Sequence, residues 1–392
     1  MPEAVIVATG RTAIGRARKG SFVDVRPEDL LAAPIKHVVE KSGVDPAEVV
    51  DVIAGSVGQA NGNIARASGL LAGLPETVPG TTVNRYCSSS LQAIRMAFHA
   101  IKAGEGDVYV ACGIEHSSGP PPKEGQDAGR GGGGAGGYGP HPSFIGKDAM
   151  WQLYIPMGLT AENVAEKYDV PRERMDRFAQ QSQERAVQAQ KNGIFDREIV
   201  PFTKADGTVV TQDDGPRADS TYEKLASLEP AFKPGGKVTA GNSCPLNDGG
   251  AAVMVMSDTK AKALGLTPLA RIVATGVSGL DPAIMGVGPI EAVKKVLAQA
   301  NMKIEDIDIV ELNEAFAAQV LAVCDNIGVD PFSEKLNPHG GAIALGHPFG
   351  QTGARIMTTL INDLQTEDKT FGIETMCVGG GQGLAAIVER LS

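Results

Sequence analysis

A helix, a short polar connection and an apolar strand follow one another twice in this chain. In the first copy, Pro27–Lys41 carries Leu30, Leu31, Ile35, Val38 and Val39 at helical spacing. Ser42-Gly43 stops that helix, and an apolar run follows at Val49–Ala54. The second copy runs from Ile290 through Met302-Lys303-Ile304-Glu305-Asp306 to the strand Ile307–Val310. Displaced by 258 residues, Val44 falls on Met302, Val49 on Ile307 and Val52 on Val310. Two generic βα units can match this way by chance. The reading taken is internal duplication, with two similar α/β halves packed together.

The rest of the chain fits an α/β class. Ala4–Ala8 and Val108–Cys112 read as short buried strands, and Thr81–Asn84 as a β-branched strand. Leu91, Ile94, Phe98 and Ile101 form one face of a helix that ends near Gly104. Strand-like runs return at Ala251–Met256, Ala270–Thr275 and Phe371–Met376. The middle differs. Between Pro120 and Pro142 apolar residues are scarce, and 8 of the 11 residues in 129–139 are glycine, so this stretch builds no core of its own. A helical region follows over Thr160–Asn192, with Pro171 ending its first part and opening a second. The division expected is 1–119 with 246–269 as one half, 120–245 as an inserted loop-and-helix layer over the active site, and 270–392 as the other half.

Composition narrows the function classes. Glycine, at 49 of 392 residues, is well above the usual 7% or so, so many positions need tight turns or close approach. A formal charge of −10 argues against a nonspecific nucleic-acid binder. The five cysteines, Cys87, Cys112, Cys244, Cys324 and Cys377, form no CxxC pair, which fits a reducing compartment better than a disulfide scaffold. There is no signal-peptide pattern and no run of 18 apolar residues, so a cytoplasmic protein without a membrane span is expected.

Four places carry candidate chemistry. Cys87 sits between a strand and a helix start, where free N–H groups and the helix dipole are expected to lower a thiol pKa and to hold an oxyanion. The alternative is a buried structural cysteine. His347, in Gly340-Gly341-Ala342-Ile343-Ala344-Leu345-Gly346-His347-Pro348, is a general-base candidate on a glycine-rich turn. Cys377 precedes Gly379-Gly380-Gly381, an N–H nest lacking the Lys of a Walker loop; here too a buried cysteine is the alternative. Asn313-Glu314 follows a strand end, either as site residues or with Asn313 as a plain helix cap. No local ligand pair supports zinc, and no metal site is expected.

These same residues resemble the motifs of the thiolases, the acetyl-CoA acetyltransferase and 3-ketoacyl-CoA thiolase family, in order and over nearly the whole chain. The matching segments are Asn84-Arg85-Tyr86-Cys87-Ser88-Ser89, Asn313-Glu314-Ala315-Phe316, Gly346-His347-Pro348 with Gly350, Gly353, Ala354 and Arg355, and Cys377 with Gly379–Gly381. The resemblance implies a duplicated five-layer α/β/α/β/α fold with an inserted loop domain. It implies an acyl-CoA C-acyltransferase working by ping-pong catalysis, with coenzyme A as substrate and no permanently bound cofactor.

By that resemblance Cys87 is the nucleophile that carries the acyl group. His347 takes its proton, and Cys377 exchanges a proton with the α-carbon of acetyl-CoA. Asn313 and His347 form one oxyanion hole; the N–H groups of Cys87 and Gly379 form the other. Substrate contacts fall on Met157 at the acyl pocket, Arg217 at the nucleotide end, Cys244 at the pantetheine, and Phe316. Cys244 stands where many members have serine, and is read as passive. A homo-oligomer, dimer or tetramer, is implied, and a hydratase/dehydrogenase partner is compatible with a degradative role. The competing functions are a thiolase-like enzyme for branched, aromatic or sterol side-chain CoA esters, and a non-catalytic CoA-binding subunit.

Overall fold

The computed structural model describes residues 2–58, 62–119, 141–144 and 152–392. The glycine-rich run 129–139 lies outside the described residues. The first half contains β1 (Ala4–Arg11), β2 (Gly15–Arg16), α1 (Pro27–Ser42), β3 (Asp51–Ser56), α2 (Ile64–Leu71), β4 (Gly80–Val83), α3 (Ser89–Ala103) and β5 (Val108–His116). Next come α4 (Met157–Lys167), α5 (Arg172–Lys191), the short pair β6 (Phe202–Thr203) and β7 (Val209–Val210), and α6 (Tyr222–Ala226). The chain then returns through β8 (Asn247–Ser257) and α7 (Asp258–Ala263). The second half holds β9 (Ala270–Gly279), α8 (Gly288–Ala300), β10 (Ile309–Leu312), α9 (Ala317–Ile327), α10 (Ala342–Leu345), α11 (Thr352–Thr366), β11 (Phe371–Val378) and β12 (Gln382–Arg390).

The duplication is visible in the strand order. One half reads β4-β3-β5-β8-β1 and the other continues β9-β12-β11-β10. In the first, β3 is parallel to both β4 and β5, and β8 is antiparallel to β5 and β1. In the second, β10 is parallel to β11, and β12 is antiparallel to β11 and β9. A parallel bridge from Val310 to Leu336 stands where β4 stands in the first half. The 258-residue offset also holds for smaller features: a 3-10 turn at Pro46–Glu48 answers one at Ile304–Asp306. Likewise α1 and α8 stop at left-handed residues, Gly43 (φ 64°) and Asn301 (φ 52°).

Helices cover and separate the half-sheets, giving five layers. α1 and α2 pack on the outside of the first half-sheet through Leu30, Leu31, Ile35, Val38 and Ile64. α8 and α9, with α4 and α5 beside them, cover the outside of the second. Between the half-sheets lies a central layer of α3 and α11, where Leu91, Ile94, Phe98, Ile356, Met357 and Leu360 share one buried cluster with strands of both halves. Burying each such side chain contributes roughly 1.5–3 kcal/mol. The half-sheets touch through only two registered pairs, Val5↔Arg271 and Ile6↔Ala270. The central layer thus carries most of their union, and Leu360→Ala there costs roughly 2–5 kcal/mol.

Several strands run further than their apolar runs. β5 extends to His116 and β8 begins at Asn247, because Gly113↔Ala251, Glu115↔Gly249 and His116↔Asp248 keep polar and glycine residues in the ladder. The second-half strand end also differs from the capping alternative for Asn313. The N-cap of α9 is Phe316, in extended conformation, which leaves the Asn313 side chain available to the site.

Candidate active site

The N-termini of the two central helices converge, and each is preceded by a turn bearing a candidate residue. Cys87 precedes α3 and His347 precedes α11. Ser90 Oγ accepts the Ala354 N–H at 2.9 Å, which pins the helices together at that end. Gly350 fits where any side chain would collide: an added Cβ would lie 2.1 Å from the Ile114 carbonyl oxygen. The histidine turn is therefore wedged against the ends of β3 and β5.

The Cys87 turn is strained and braced. Tyr86 adopts a left-handed conformation (φ 44°), unusual for a residue with a bulky side chain. Its N–H donates to Asn84 Oδ1 at 2.8 Å, and its carbonyl accepts from Ser89 Oγ at 2.6 Å. The ring lies over the glycine turn after β11, with the Cβ position of Gly379 3.4 Å from it. Arg85 reaches the same turn, donating to Gln382 Oε1 at 2.9 Å, while Gln382 Nε2 donates to the Gly379 carbonyl at 3.2 Å. The backbone N–H groups of Gly379 and of Cys87 itself favour the thiolate form of the Cys87 sulfur.

Those donors do not produce the low thiol pKa expected at a helix start. Burial outweighs them and pushes the Cys87 thiol up to about 12, with the Glu115 carboxylate adding to the rise. The resting sulfur is a thiol. Cys377, fully buried at the end of β11, is also pushed up by burial, by Cys87 and by Cys244. Burial and Cys87 raise the thiol of Cys244 in the same way. Three thiols from three segments thus sense one another.

His347 departs from the neutral-range pKa expected of it. It is 1% exposed, and burial, with Arg355 adding like charge, lowers it to about 3. Its tautomer follows from its neighbours. Thr352 Oγ donates to the Pro348 carbonyl at 2.7 Å, so it accepts from His347 Nδ1, also at 2.7 Å. That leaves Nε2 with its lone pair, facing Asn313 Nδ2 at 3.3 Å. The backbone N–H of His347 donates to Asn247 Oδ1 at 3.0 Å. Asn313 Oδ1 is buried with no hydrogen-bond partner, an acceptor open to a ligand or a water.

The substrate-contact candidates fall in two places. A cleft of about 310 Å³ is lined by Arg16, Arg217, Lys224, Gly241, Ser243 and Pro245, among others. The exposed Arg217 anchors there through its N–H on Gln183 Oε1 at 2.8 Å. Cys244 lies between the cleft-lining Ser243 and Pro245, held by its N–H on the Ala315 carbonyl at 3.0 Å. Met157 and Cys244 are half-buried and pack against the cluster that contains Cys377 and Phe316. Phe316 is itself buried, edge-on to Phe232 with ring centres 6.1 Å apart. Among the described residues no group of three or more His, Cys, Asp or Glu is arranged to hold a metal ion.

Local sequence reading missed several residues. Glu115, 3% exposed, accepts the N–H groups of Gly58 (2.8 Å) and Gly350 (3.0 Å) and joins the first half to the histidine turn. Arg85, Gln382, Thr352 and Asn247 brace the turns already described. Arg16 and Lys224 add two cations to the Arg217 cleft. An Arg or Glu beside a motif was the only signal, and their partners lie far off in the chain.

Comparison with known proteins gives the same picture over the full length. The thiolase N-terminal domain model matches residues 4–259 and the thiolase C-terminal domain model residues 266–390. A Staphylococcus aureus (strain MRSA252) protein described as a probable acetyl-CoA acyltransferase is 45% identical, with all of both chains covered. The counterpart from strain COL, described in the same words, is also 45% identical over its full length. The crystal structure of the Bacillus anthracis acetyl-CoA acetyltransferase superposes with a TM-score of 0.90 at 42% identity, covering 100% of this chain and 99% of that one. With this duplicated fold, four motifs meeting at one site and both domain models matched end to end, the chain belongs to the thiolase family.

Proposed function

We propose that this thiolase cleaves 3-ketoacyl-CoA with CoA to acetyl-CoA and a shortened acyl-CoA, and runs the same steps backwards as a condensation. The observation that carries this reading is the Cys87 turn packed and hydrogen-bonded onto the Gly379 turn that follows Cys377, which brings the two thiols within electrostatic reach. In the thiolytic direction Cys87 attacks the keto carbon and its proton passes to His347. The Cα–Cβ bond breaks, and its electron pair leaves with the acetyl-CoA fragment as an enolate. Cys377 delivers a proton to that carbon, acetyl-CoA departs, and the acyl group stays on Cys87. The thiol of CoA gives its proton to the Cys377 thiolate and attacks the acyl-enzyme; Cys87 departs from the carbonyl, recovers its proton from His347, and the shortened acyl-CoA is released.

The electrostatics suit this division of labour. A resting thiol and a neutral imidazole store no ion pair. Charge separates only when a carbonyl arrives, where the N–H groups of Cys87 and Gly379 receive the oxyanion; losing one such donor typically costs about 3 kcal/mol in the barrier. The thiol of Cys377, raised by burial, is a fitting proton donor to carbon. Once Nε2 of His347 has taken the Cys87 proton it is a donor, and with Asn313 opposite it receives the enolate oxygen. CoA enters along the cleft with Arg16, Arg217 and Lys224 towards its phosphates and the Cys244 segment along its pantetheine, while Met157 and Phe316 border the acyl group.

We divide the chain into 1–119 with 246–269, 120–245 and 270–392; the matching strand orders of the two half-sheets support this. We also read the protein as a cytoplasmic homo-oligomer, dimer or tetramer. β4 is a sheet edge, and near it Leu70, Leu71 and Tyr86 are 45%, 58% and 44% exposed, a surface that a second copy would cover. No helix among the described residues is long and apolar enough to cross a membrane. A hydratase/dehydrogenase partner fits a degradative role. The test of function is CoA-dependent cleavage of a 3-ketoacyl-CoA series from acetoacetyl-CoA upward, with Cys87→Ala as control. A maximum at acetoacetyl-CoA means an acetyl-CoA acetyltransferase, and a rise with length means a fatty-acid-type thiolase. No cleavage of any member overturns the reading for straight chains and directs the search to branched, aromatic or sterol side-chain esters.

A further inference from the structure

Asn313 and His347 must keep a fixed separation, yet they come from different loops 34 residues apart. The next residue after Asn313 shows how this is done. Glu314 is 1% exposed, and its carboxylate collects three donors from three segments. Ser182 Oγ on α5 donates to Oε2 at 2.6 Å, and the Ile343 N–H on α10 donates to the same oxygen at 3.1 Å. Asn337 Nδ2 donates to Oε1 at 2.8 Å. α10 leads directly into Gly346-His347, so the carboxylate bonded to Ile343 ties the Asn313 loop to the approach of His347.

The donors cannot turn round. Asn337 Oδ1 already accepts the Leu312 N–H at 2.9 Å, and its Nδ2 also serves the Leu312 carbonyl at 3.0 Å, which fixes the amide orientation. Ser182 Oγ accepts the Gly341 N–H at 3.3 Å, so its own proton is directed at Glu314. A Cβ on Gly341 would stand 2.3 Å from Glu314 Cδ, so the loop rests on the carboxylate itself. A proton on either carboxylate oxygen would displace a donor and find no acceptor in this cradle. The three bonds thus hold the group ionised against burial, which pulls its pKa upward.

We propose that Glu314 is a positioning residue for the enolate step, clamping Asn313 against His347 through Ser182, Asn337 and Ile343. His347 has its own supports in Thr352 and Asn247. Weakening the clamp should therefore displace Asn313 relative to His347 while leaving the Cys87–Gly379 side intact. The inference rests on the thiolase reading.

The test separates two partial reactions of the full-length enzyme. Enolate formation is read as deuterium exchange into the methyl group of acetyl-CoA. Acyl transfer through Cys87 is read as exchange between acetyl-CoA and isotopically labelled CoA. Glu314→Gln keeps the shape but offers one acceptor atom where two are needed. It should lower deuterium exchange at least about tenfold and acyl exchange less than about threefold. Ser182→Ala removes one donor and should show the same order with a smaller loss. Equal losses in both reactions, or no loss in either, would overturn the clamp. If Glu314→Gln fails to fold, Ser182→Ala decides alone, and unchanged deuterium exchange in it overturns the proposal. A wild-type enzyme showing neither exchange would instead remove the thiolase reading itself.

Discussion

The two halves share a strand order and a helix order, yet they hold chemistry in different ways. In the first half, the turn before the central helix presents the proposed nucleophile, Cys87, half-buried and just after a strained residue, Tyr86. In the second, the equivalent turn presents the proposed base, His347, and the end of β11 the proposed acid, Cys377, both buried. Burial acts on the pair in opposite senses. It raises the thiol of Cys87 to about 12 and lowers the imidazole of His347 to about 3, so both are neutral at rest. Duplication supplied two similar sockets at helix N-termini, and the difference lies in which side chain each holds and how its proton is fixed.

Removing the first half's contribution should have the largest effect. Cys87→Ala eliminates the covalent intermediate and should lower thiolysis by at least about 10⁴-fold. The melting temperature should stay close to wild type, because the bonds that brace the turn, from Asn84, Ser89 and Gln382, do not involve the sulfur. Activity within tenfold of wild type would mean that the acyl group is carried elsewhere. Removing the second half's acid should be more selective. Cys377→Ala should reduce deuterium exchange at the acetyl-CoA methyl group by about 10²–10⁴-fold while sparing acyl exchange with CoA. Equal damage to both reactions would erase the division between the halves.

pH sharpens the same contrast. His347 has a folded pKa of about 3, below the unfolded value near 6.5, so its contribution to stability is complete above about pH 6.5. It is lost as pH falls towards 3, because the unfolded chain binds the proton more readily. The melting temperature should therefore decline between pH 6.5 and 4, and His347→Asn should decline less. For Cys87 the sign reverses, since its folded pKa lies above the unfolded one and stability is lost as pH rises past about 8.5. Alkylation of Cys87 by iodoacetamide should climb without a plateau from pH 7 to 10. A plateau near pH 7 would show a thiolate at rest, and the balance between burial and N–H donors would have to be reversed.

Candidate positions were legible around His347 and Cys377 because glycine-rich turns flag a close approach of the backbone. Cys87 and Asn313 instead follow the strands β4 and β10, and the internal duplication shows in the spacing of two βα units. Charge state was not legible. A thiol at a helix start reads as acidic from its neighbours in sequence, whereas its burial in the folded protein, with the Glu115 carboxylate adding to the rise, reverses this. The braces were illegible for the same reason: Glu115 meets Gly350 across 235 residues, and Arg85 meets Gln382 across 297. A short local window registers a residue type but not the partner that gives it a role.

The smallest effect is expected at Cys244, where the two halves meet the cleft. This third thiol senses Cys87 and Glu314, and its own pKa is raised, so it is a neutral thiol at neutral pH. Its firm attachment is through its backbone, by the N–H on the Ala315 carbonyl, which any residue but proline would keep. The side chain packs half-buried against the second-half cluster, an apolar contact that alanine largely keeps. Cys244→Ala should therefore change kcat less than about threefold, with a comparable rise in KM for CoA from the lost contact. Cys244→Ser should match it or bind CoA slightly better, since a hydroxyl is a stronger hydrogen-bond partner for an amide than a thiol is. A loss of kcat beyond tenfold in Cys244→Ala, with KM unchanged, would make Cys244 a participant in proton transfer. The tuning of Cys87 and Cys377 would then belong to three thiols and not to one from each half.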